Sequence, residues 1–204
     1  MQFLGFPPGQ KCATLRTMGK VSRTIFCGLS LLVMVGCGTT SDPVSSYEES
    51  SLYGWNGEGL SGPARVVIDL TSQRADVTIG GQLAGWAVVA TGKEGYGTPA
   101  GDYTILKKVA DKYSNLYGVT VDAEGNLVNE NADVRKDKPP AGGSFKFAPM
   151  PYWMRLTNTG IGMHAGHIPR PGEPASHGCI RMPPDFARLL FYSVESGTPV
   201  QIIR

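Results

Sequence analysis

Arg65-Val66-Val67-Ile68-Asp69-Leu70-Thr71-Ser72-Gln73-Arg74-Ala75-Asp76-Val77-Thr78-Ile79 is the stretch whose reading decides the fold class. Two runs rich in β-branched residues flank Thr71-Ser72-Gln73, which carries the short polar residues of a turn. Residues 65–70 and 74–79 are therefore expected to pair as a hairpin. Gly80-Gly81 turns the chain once more, and the pattern predicts a third strand over 83–91. Residues 103–106 and 118–121 are shorter strand candidates.

Outward from this nucleus the chain becomes less regular. Residues 122–143 are polar and carry Pro139-Pro140 and Gly142-Gly143, so they are expected to run over the surface as an excursion that can act as a lid or partner surface. Asp185-Phe186-Ala187-Arg188-Leu189-Leu190-Phe191-Tyr192 has helical spacing, with Asp185 expected as its cap after Pro183-Pro184. Gly197 ends that helix, and Pro199-Val200-Gln201-Ile202-Ile203 reads as a final strand. No internal repeat is present. The expected class is mainly β with one or two helices, a β-sandwich or barrel-like domain over 62–204.

Ahead of the domain, residues 38–61 are rich in Ser, Thr, Gly and acids and have no apolar period, as a flexible tether would be. Residues 1–36 hold Lys11, Arg16, Lys20 and Arg23 and no acid, and residues 24–36 are almost wholly apolar. That run is too short to span a bilayer comfortably and fits the core of a signal peptide, with Met18 as an alternative start; an uncleaved anchor or a buried helix is the competing reading. It closes on Met34-Val35-Gly36-Cys37, which resembles the lipobox of bacterial lipoproteins. The resemblance implies cleavage before Cys37 and lipid on that cysteine. Residues 37–61 then tether an exported domain to the envelope, facing the periplasm. Gly38, in place of Asp after the lipidated cysteine, favours the outer membrane in a Gram-negative host.

Export makes the cysteine count informative. Of four cysteines, Cys12 and Cys27 leave with the signal and Cys37 is acylated, so Cys179 has no partner in an oxidising compartment. A disulfide framework and a four-cysteine zinc site are both excluded. The chain has 19 basic and 17 acidic residues; losing the four basic residues of the signal leaves 15 against 17, a net of −2 that gives no footprint for nucleic acid.

A lone thiol in Ser176-His177-Gly178-Cys179-Ile180-Arg181, preceded by Met163-His164-Ala165-Gly166, reads first as a nucleophile. A free thiol ionises near about 8.5, so it needs a base or a cluster of donors. His177, two residues away, has poor geometry for that hydrogen bond. Pro169, Pro171, Gly172 and Pro174 form a loop able to bring His164 in, which favours His164 as base and His177 as a helper shaping the pocket. Gly178 lets a carbonyl approach the backbone, and the amides around Cys179 can form an oxyanion hole. Three other readings stand beside this one. Cys179 can be a small buried apolar residue. His164 and His167 can be a zinc pair with His177 and Cys179 as further ligands, although the prolines argue against the helix such a pair needs. Tyr152-Trp153 read as core, and His167 as a solvated loop residue.

These motifs resemble the L,D-transpeptidase catalytic domain, also called the YkuD-type domain. The resemblance rests on Met163-His164-Ala165-Gly166, on Ala175-Ser176-His177-Gly178-Cys179-Ile180-Arg181-Met182, and upstream on Thr91-Gly92-Lys93-Glu94-Gly95 and Thr98-Pro99-Ala100-Gly101-Asp102-Tyr103, over roughly 65–204. It implies Cys179 as nucleophile toward the carbonyl at the L-centre of the third residue of a peptidoglycan stem, releasing the terminal D-residue. It further implies His164 as general base, oriented by a backbone carbonyl such as that of Ala165. His177, Gly178 and the Cys179 amide would line the oxyanion site, and Ser176 matches the family's Ser or Thr. Arg181 would offer its fork to a substrate carboxylate, an ion pair within the fold being the alternative. No cofactor is implied, and a monomer is expected. The same thiol with water as acceptor would give an L,D-carboxypeptidase or hydrolase, and without chemistry the chain would be a wall-binding lipoprotein.

Overall fold

The computed structural model describes residues 52–204. The expected signal segment, Cys37 and the tether up to residue 51 lie outside the described residues. Within them the chain runs through β1 (Tyr53–Trp55), β2 (Ala64–Asp69), β3 (Arg74–Ile79), β4 (Gln82–Val88), β5 (Gly101–Thr104), β6 (Lys107–Val109), β7 (Tyr113–Val121), β8 (Leu127–Asp133), β9 (Ser144–Pro149), β10 (Trp153–Arg155), β11 (Gly162–Ala165), β12 (Ile180–Met182), α1 (Pro184–Ser193) and β13 (Pro199–Ile203). The described residues are mainly β with one helix, and no sheet closes into a barrel. Among them no helix is long and apolar enough to cross a membrane.

Three sheets share the work. The largest has the order β1-β4-β3-β2-β13-β5, the second β12-β11-β10-β6 and the third β8-β7-β9. The opening hairpin forms as expected, with Val66 opposite Val77, Ile68 opposite Ala75 and Asp69 opposite Arg74, so that Leu70 joins the turn. Its turn is held by Asp69, whose carboxylate accepts the amide hydrogens of Thr71 and Ser72. The last strand, β13, lies parallel to β2 with Val200 opposite Val66, so the two ends of the domain's sequence meet mid-sheet. Alternation then sends Val66, Ile68, Val77, Val200 and Ile202 into one apolar cluster. Met154, Met163, Ile180 and Met182 of the second sheet and Phe186, Ala187 and Leu190 of α1 fill it from the other side.

Three expectations are corrected. The ordered domain starts before residue 62: Tyr53–Trp55 adds a strand to the edge of β4, and Tyr53 and Trp55 place their rings 6.1 and 5.8 Å from that of Phe186. Aromatic burial against the helix outweighs the polar composition around it. The excursion over 122–143 contains a strand, β8, which pairs with β7 across a turn capped by the Asp122 carboxylate. Leu127 and Val128 of β8 are exposed and only Ala132 and Asp133 at its end are buried, so the strand leaves no alternating pattern to read. The polar loop that remains is 134–143. At the helix, the cap residue is Pro183 and no side chain caps it; Pro184 occupies the first helical position, and Asp185 sits in the first turn, 3.9 Å from Arg188 Nε.

Candidate active site

The register of the second sheet builds the site. β11 and β12 run parallel with Met163 opposite Ile180 and His164 opposite Arg181, while β10 runs antiparallel to β11 with Met154 opposite Met163. Met154, Met163, Ile180 and Met182 face the core, so alternation turns Trp153, Gly162, His164 and Arg181 to the other face. Continuing the same register by one step sets Cys179 opposite Gly162 and Trp153 opposite His164. Cys179 and His164 are thus diagonal neighbours on one face, roughly 8 Å apart along the backbone, close enough to flank one carbonyl group. Gly162 has to be glycine, because a Cβ there would lie 2.6 Å from Trp153 Nε1. The indole therefore lies across Gly162 and forms the floor of this face.

The loop carrying the thiol is tied to the first sheet. Gln73, buried in the β2–β3 turn at φ 51°, accepts the amide hydrogen of Thr91 on Oε1 at 2.8 Å and donates from Nε2 to Thr91 Oγ1 at 2.8 Å and to the Leu70 carbonyl at 2.7 Å. Thr91 in turn accepts the amides of Ala175 and Ser176 on its carbonyl, each at 2.9 Å. Ser176 Oγ receives the Gly178 amide at 3.0 Å and donates to the Cys179 carbonyl. Thr98 Oγ1 donates to the Gly178 carbonyl at 2.8 Å. Gly178 itself sits at φ 113°, a conformation that side-chain-bearing residues rarely adopt.

Electrostatics set the protonation states. His164 is 6% exposed, and its Nδ1 lies 2.7 Å from the Ala165 carbonyl oxygen. A carbonyl only accepts, so Nδ1 carries the hydrogen and Nε2 presents a lone pair. Burial, reinforced by the charge of Arg181 and opposed by the Ala165 carbonyl, lowers its pKa from 6.5 to about 4. Cys179 is half-buried, with Sγ 3.7 Å from the Gly160 carbonyl. Burial raises its pKa; the Gly162 backbone and then the charges of Arg181 and Lys112 oppose that rise. The resting pair at neutral pH is therefore a thiol and a neutral imidazole. Arg181 makes no ion pair or side-chain hydrogen bond among the described residues, and desolvation lowers its pKa.

His177 is held apart from this pair. Its ring stacks on Tyr117 of β7 at 4.3 Å and 13°, and meets Tyr96 edge-on at 4.6 Å. Burial, then Lys93 and Arg181, lower its pKa. Behind Tyr117, Arg135 donates to both carboxylate oxygens of the buried Asp133, at 2.9 and 2.6 Å, which holds that carboxyl at about 2. The third sheet therefore reaches the Cys179 loop through the ring of Tyr117.

The structure brings Cys179, His164, Arg181, Ala165, Ser176 and Gly178 into one region, with His177 at its rim. It separates the two histidines of the zinc alternative: His164 is buried on a strand, His167 is exposed beyond that strand, and no helix aligns them. Trp153 is buried, as expected of a core residue, but it lies outside the main apolar cluster, on the thiol's face of the sheet. Its position next to Met154, a core residue, on a strand was the available signal. Thr98 fell within the quoted Thr-Pro motif, whereas Gln73, Tyr96, Lys112 and Tyr117 gave no local signal, because each acts across sequence separations that no motif spans.

The family model for the L,D-transpeptidase catalytic domain (YkuD) matches residues 63–202. The chain belongs to this family. Among solved structures, that of the Enterococcus faecium L,D-transpeptidase is 27% identical with a TM-score of 0.52, over 70% of this chain and 50% of that one. The solution structure of the E. faecium catalytic domain is 28% identical with a TM-score of 0.50, over 71% of this chain and 100% of that one. L,D-transpeptidase 3 from Mycobacterium tuberculosis shares the fold at 24% identity and a TM-score of 0.51, over 69% of this chain and 61% of that one. The chain spans about half the length of the first of these relatives. No curated protein sequence matches it significantly.

The depressed pKa of His164 has a direct thermodynamic consequence. Above pH 6.5 the imidazole is neutral in both folded and unfolded chains; as pH falls from 6.5 toward about 4 only the unfolded chain takes up the proton. Stability is expected to drop through that window by up to ~1.4 kcal/mol per pH unit and to level off below it. Urea midpoints of the domain and of His164→Gln at several pH values check this. The variant should lose the slope between pH 6.5 and about 4, and an unchanged slope would contradict the burial account.

Proposed function

We propose that this YkuD domain is a cysteine-dependent L,D-transpeptidase acting on peptidoglycan stem peptides in cell-wall cross-linking or remodelling. The observation that carries the reading is the diagonal placement of Cys179 and His164 on one face, with His164 Nδ1 committed to the Ala165 carbonyl. Nε2 is then the only basic atom of the imidazole, turned toward the same face as the thiol.

The chemistry follows from that arrangement. A stem peptide places the carbonyl at the L-centre of its third residue between Sγ and Nε2. Nε2 takes the thiol proton as Sγ bonds to the carbonyl carbon, and the oxygen becomes an anion. Because the resting thiol is neutral, proton transfer accompanies attack, and no thiolate has to be stored in a partly buried site. The Cys179 amide faces the developing oxyanion. The Gly178 amide is already donated to Ser176 Oγ, so Gly178 contributes room and loop shape in place of a donor. The imidazolium returns its proton to the leaving amine, the terminal D-residue departs, and a thioester remains on Cys179. An acceptor amine then attacks the thioester, loses its proton to Nε2 and regenerates the thiol. Arg181, a half-buried guanidinium without a carboxylate partner among the described residues, suits a carboxylate of the donor. His177 shapes the rim between its two tyrosines.

The cellular setting rests on sequence alone. The Met34-Val35-Gly36-Cys37 stretch and the acid-free segment before it support export, lipidation at Cys37 and tethering in the envelope on the periplasmic side, in the outer membrane of a Gram-negative host. Cys37→Ser should move the protein from the membrane fraction to the soluble fraction and abolish labelling by a fatty-acid probe. Labelling that survives the substitution would remove Cys37 as the anchor.

Intact-protein mass spectrometry after incubation with stem tetrapeptides or a carbapenem-type acylating agent tests the enzymatic reading. The native chain is expected to gain the acyl mass at Cys179, and Cys179→Ala to gain none. Acylation that persists in Cys179→Ala would overturn the assignment of the nucleophile. Mass analysis of products with and without an acceptor stem distinguishes transfer from hydrolysis.

A further inference from the structure

Lys112 lies in the short connection between β6 and β7, at the far edge of the second sheet from Cys179. β12, which carries Arg181 and follows directly on Cys179, forms one edge, β11 and β10 intervene, and β6 forms the other edge. Lys112 nonetheless turns back over the sheet. Its Nζ sits 5.6 Å from the centre of the Trp153 ring, within cation–π range. That indole in turn crosses Gly162, the residue opposite Cys179. Trp153 is itself 6% exposed and keeps a ring N–H without a partner among the described residues, so it is placed by its ring rather than by a hydrogen bond.

The ammonium donates one hydrogen to the Tyr113 carbonyl and has no carboxylate partner among the described residues. Two of its three donors are left to another acceptor. Arg181 is likewise unpaired. Two cations thus bracket the thiol's face, one from the β12 edge and one from the β6 edge, and both act on the thiol's ionisation. Two uncompensated charges so arranged suit a ligand with an anionic group on each side of the reacting carbonyl.

We infer that Lys112, held over Trp153, is a second anion-binding group of the site, and that with Arg181 it selects acyl donors carrying free carboxylates on both sides of the scissile bond. One carboxylate belongs to the departing residue and the other to the acyl part of the stem. The inference rests on the acyl-transfer reading for its substrate, though not for its charge geometry. Amidation of either carboxylate removes a charge and should be discriminated against.

Two probes test it. The first needs no stem peptide: Cys179 is alkylated with iodoacetate and with iodoacetamide, and the ratio of the two rates is taken for the native chain, Lys112→Gln and Lys112→Arg. In either reaction Sγ displaces iodide and the thiol proton leaves to base, so the ratio reports the anion preference of the site. Lys112→Gln is expected to lower the ratio about tenfold at low salt. Lys112→Arg is expected to restore most of it. A ratio unchanged in Lys112→Gln overturns the inference. The second probe compares kcat/KM for acylation by a stem tetrapeptide with both carboxylates free and by its amidated forms. Lys112→Gln should lose about tenfold with the doubly charged donor and little with the donor amidated on its acyl part; equal loss with both overturns the assigned specificity. A native chain inert to every stem, with the alkylation ratio still dependent on Lys112, would refute the peptidoglycan reading and leave the anion site standing.

Discussion

β12 is three residues long, and the whole face that holds Cys179 and His164 depends on where it sits. One side of it pairs in parallel with β11, which fixes Cys179 against Gly162 and Arg181 against His164. The other side is held by Ala90, whose amide and carbonyl exchange hydrogen bonds with those of Arg181, each at 3.0 Å. A strand this short has no independent stability, so its register is imposed by these two neighbours. A slip of one residue would bury Arg181 and Cys179 in the core and turn Ile180 and Met182 outward. The zero exposure of Ile180 and Met182 shows how strongly the core resists that slip.

The loop before β12 inherits the same rigidity. Gln73 holds Thr91, Thr91 holds Ala175 and Ser176, and Ser176 holds both ends of the turn at Gly178. These are buried polar groups with their partners in place, so the chain of bonds specifies one arrangement. The first sheet thereby acts as a frame for a site built on the second. The same burial that fixes His164 keeps it neutral and lifts the thiol, which is what the proposed transfer of a proton during bond formation requires.

Much of the frame was legible in the sequence, because it obeys short-range rules. The hairpin around Gln73 shows paired β-branched runs, the helix shows its period before Gly197, and β13 falls on the five residues that read as a strand. The candidate Cys/His pair stood out in the sequence because few residue types suit such chemistry, and the Pro/Gly loop joins the two segments that pair as β11 and β12. β1 was hidden in a polar stretch whose two aromatics pack on Phe186. β8 was hidden because neither of its faces is buried along its first half. The supporting residues were hidden for a different reason. Gln73 lies 18 residues from Thr91, and Trp153 and Lys112 reach the thiol only through strand order, which composition and spacing do not encode.

The state of the His164 ring carries the account from fold to chemistry, and nitrogen-15 NMR of the imidazole reads it directly. At neutral pH the account predicts a neutral ring with Nδ1 protonated and Nε2 bare, unchanged on acidification until the pH nears about 4. A ring protonated on both nitrogens at neutral pH, losing its proton together with Cys179, would contradict it.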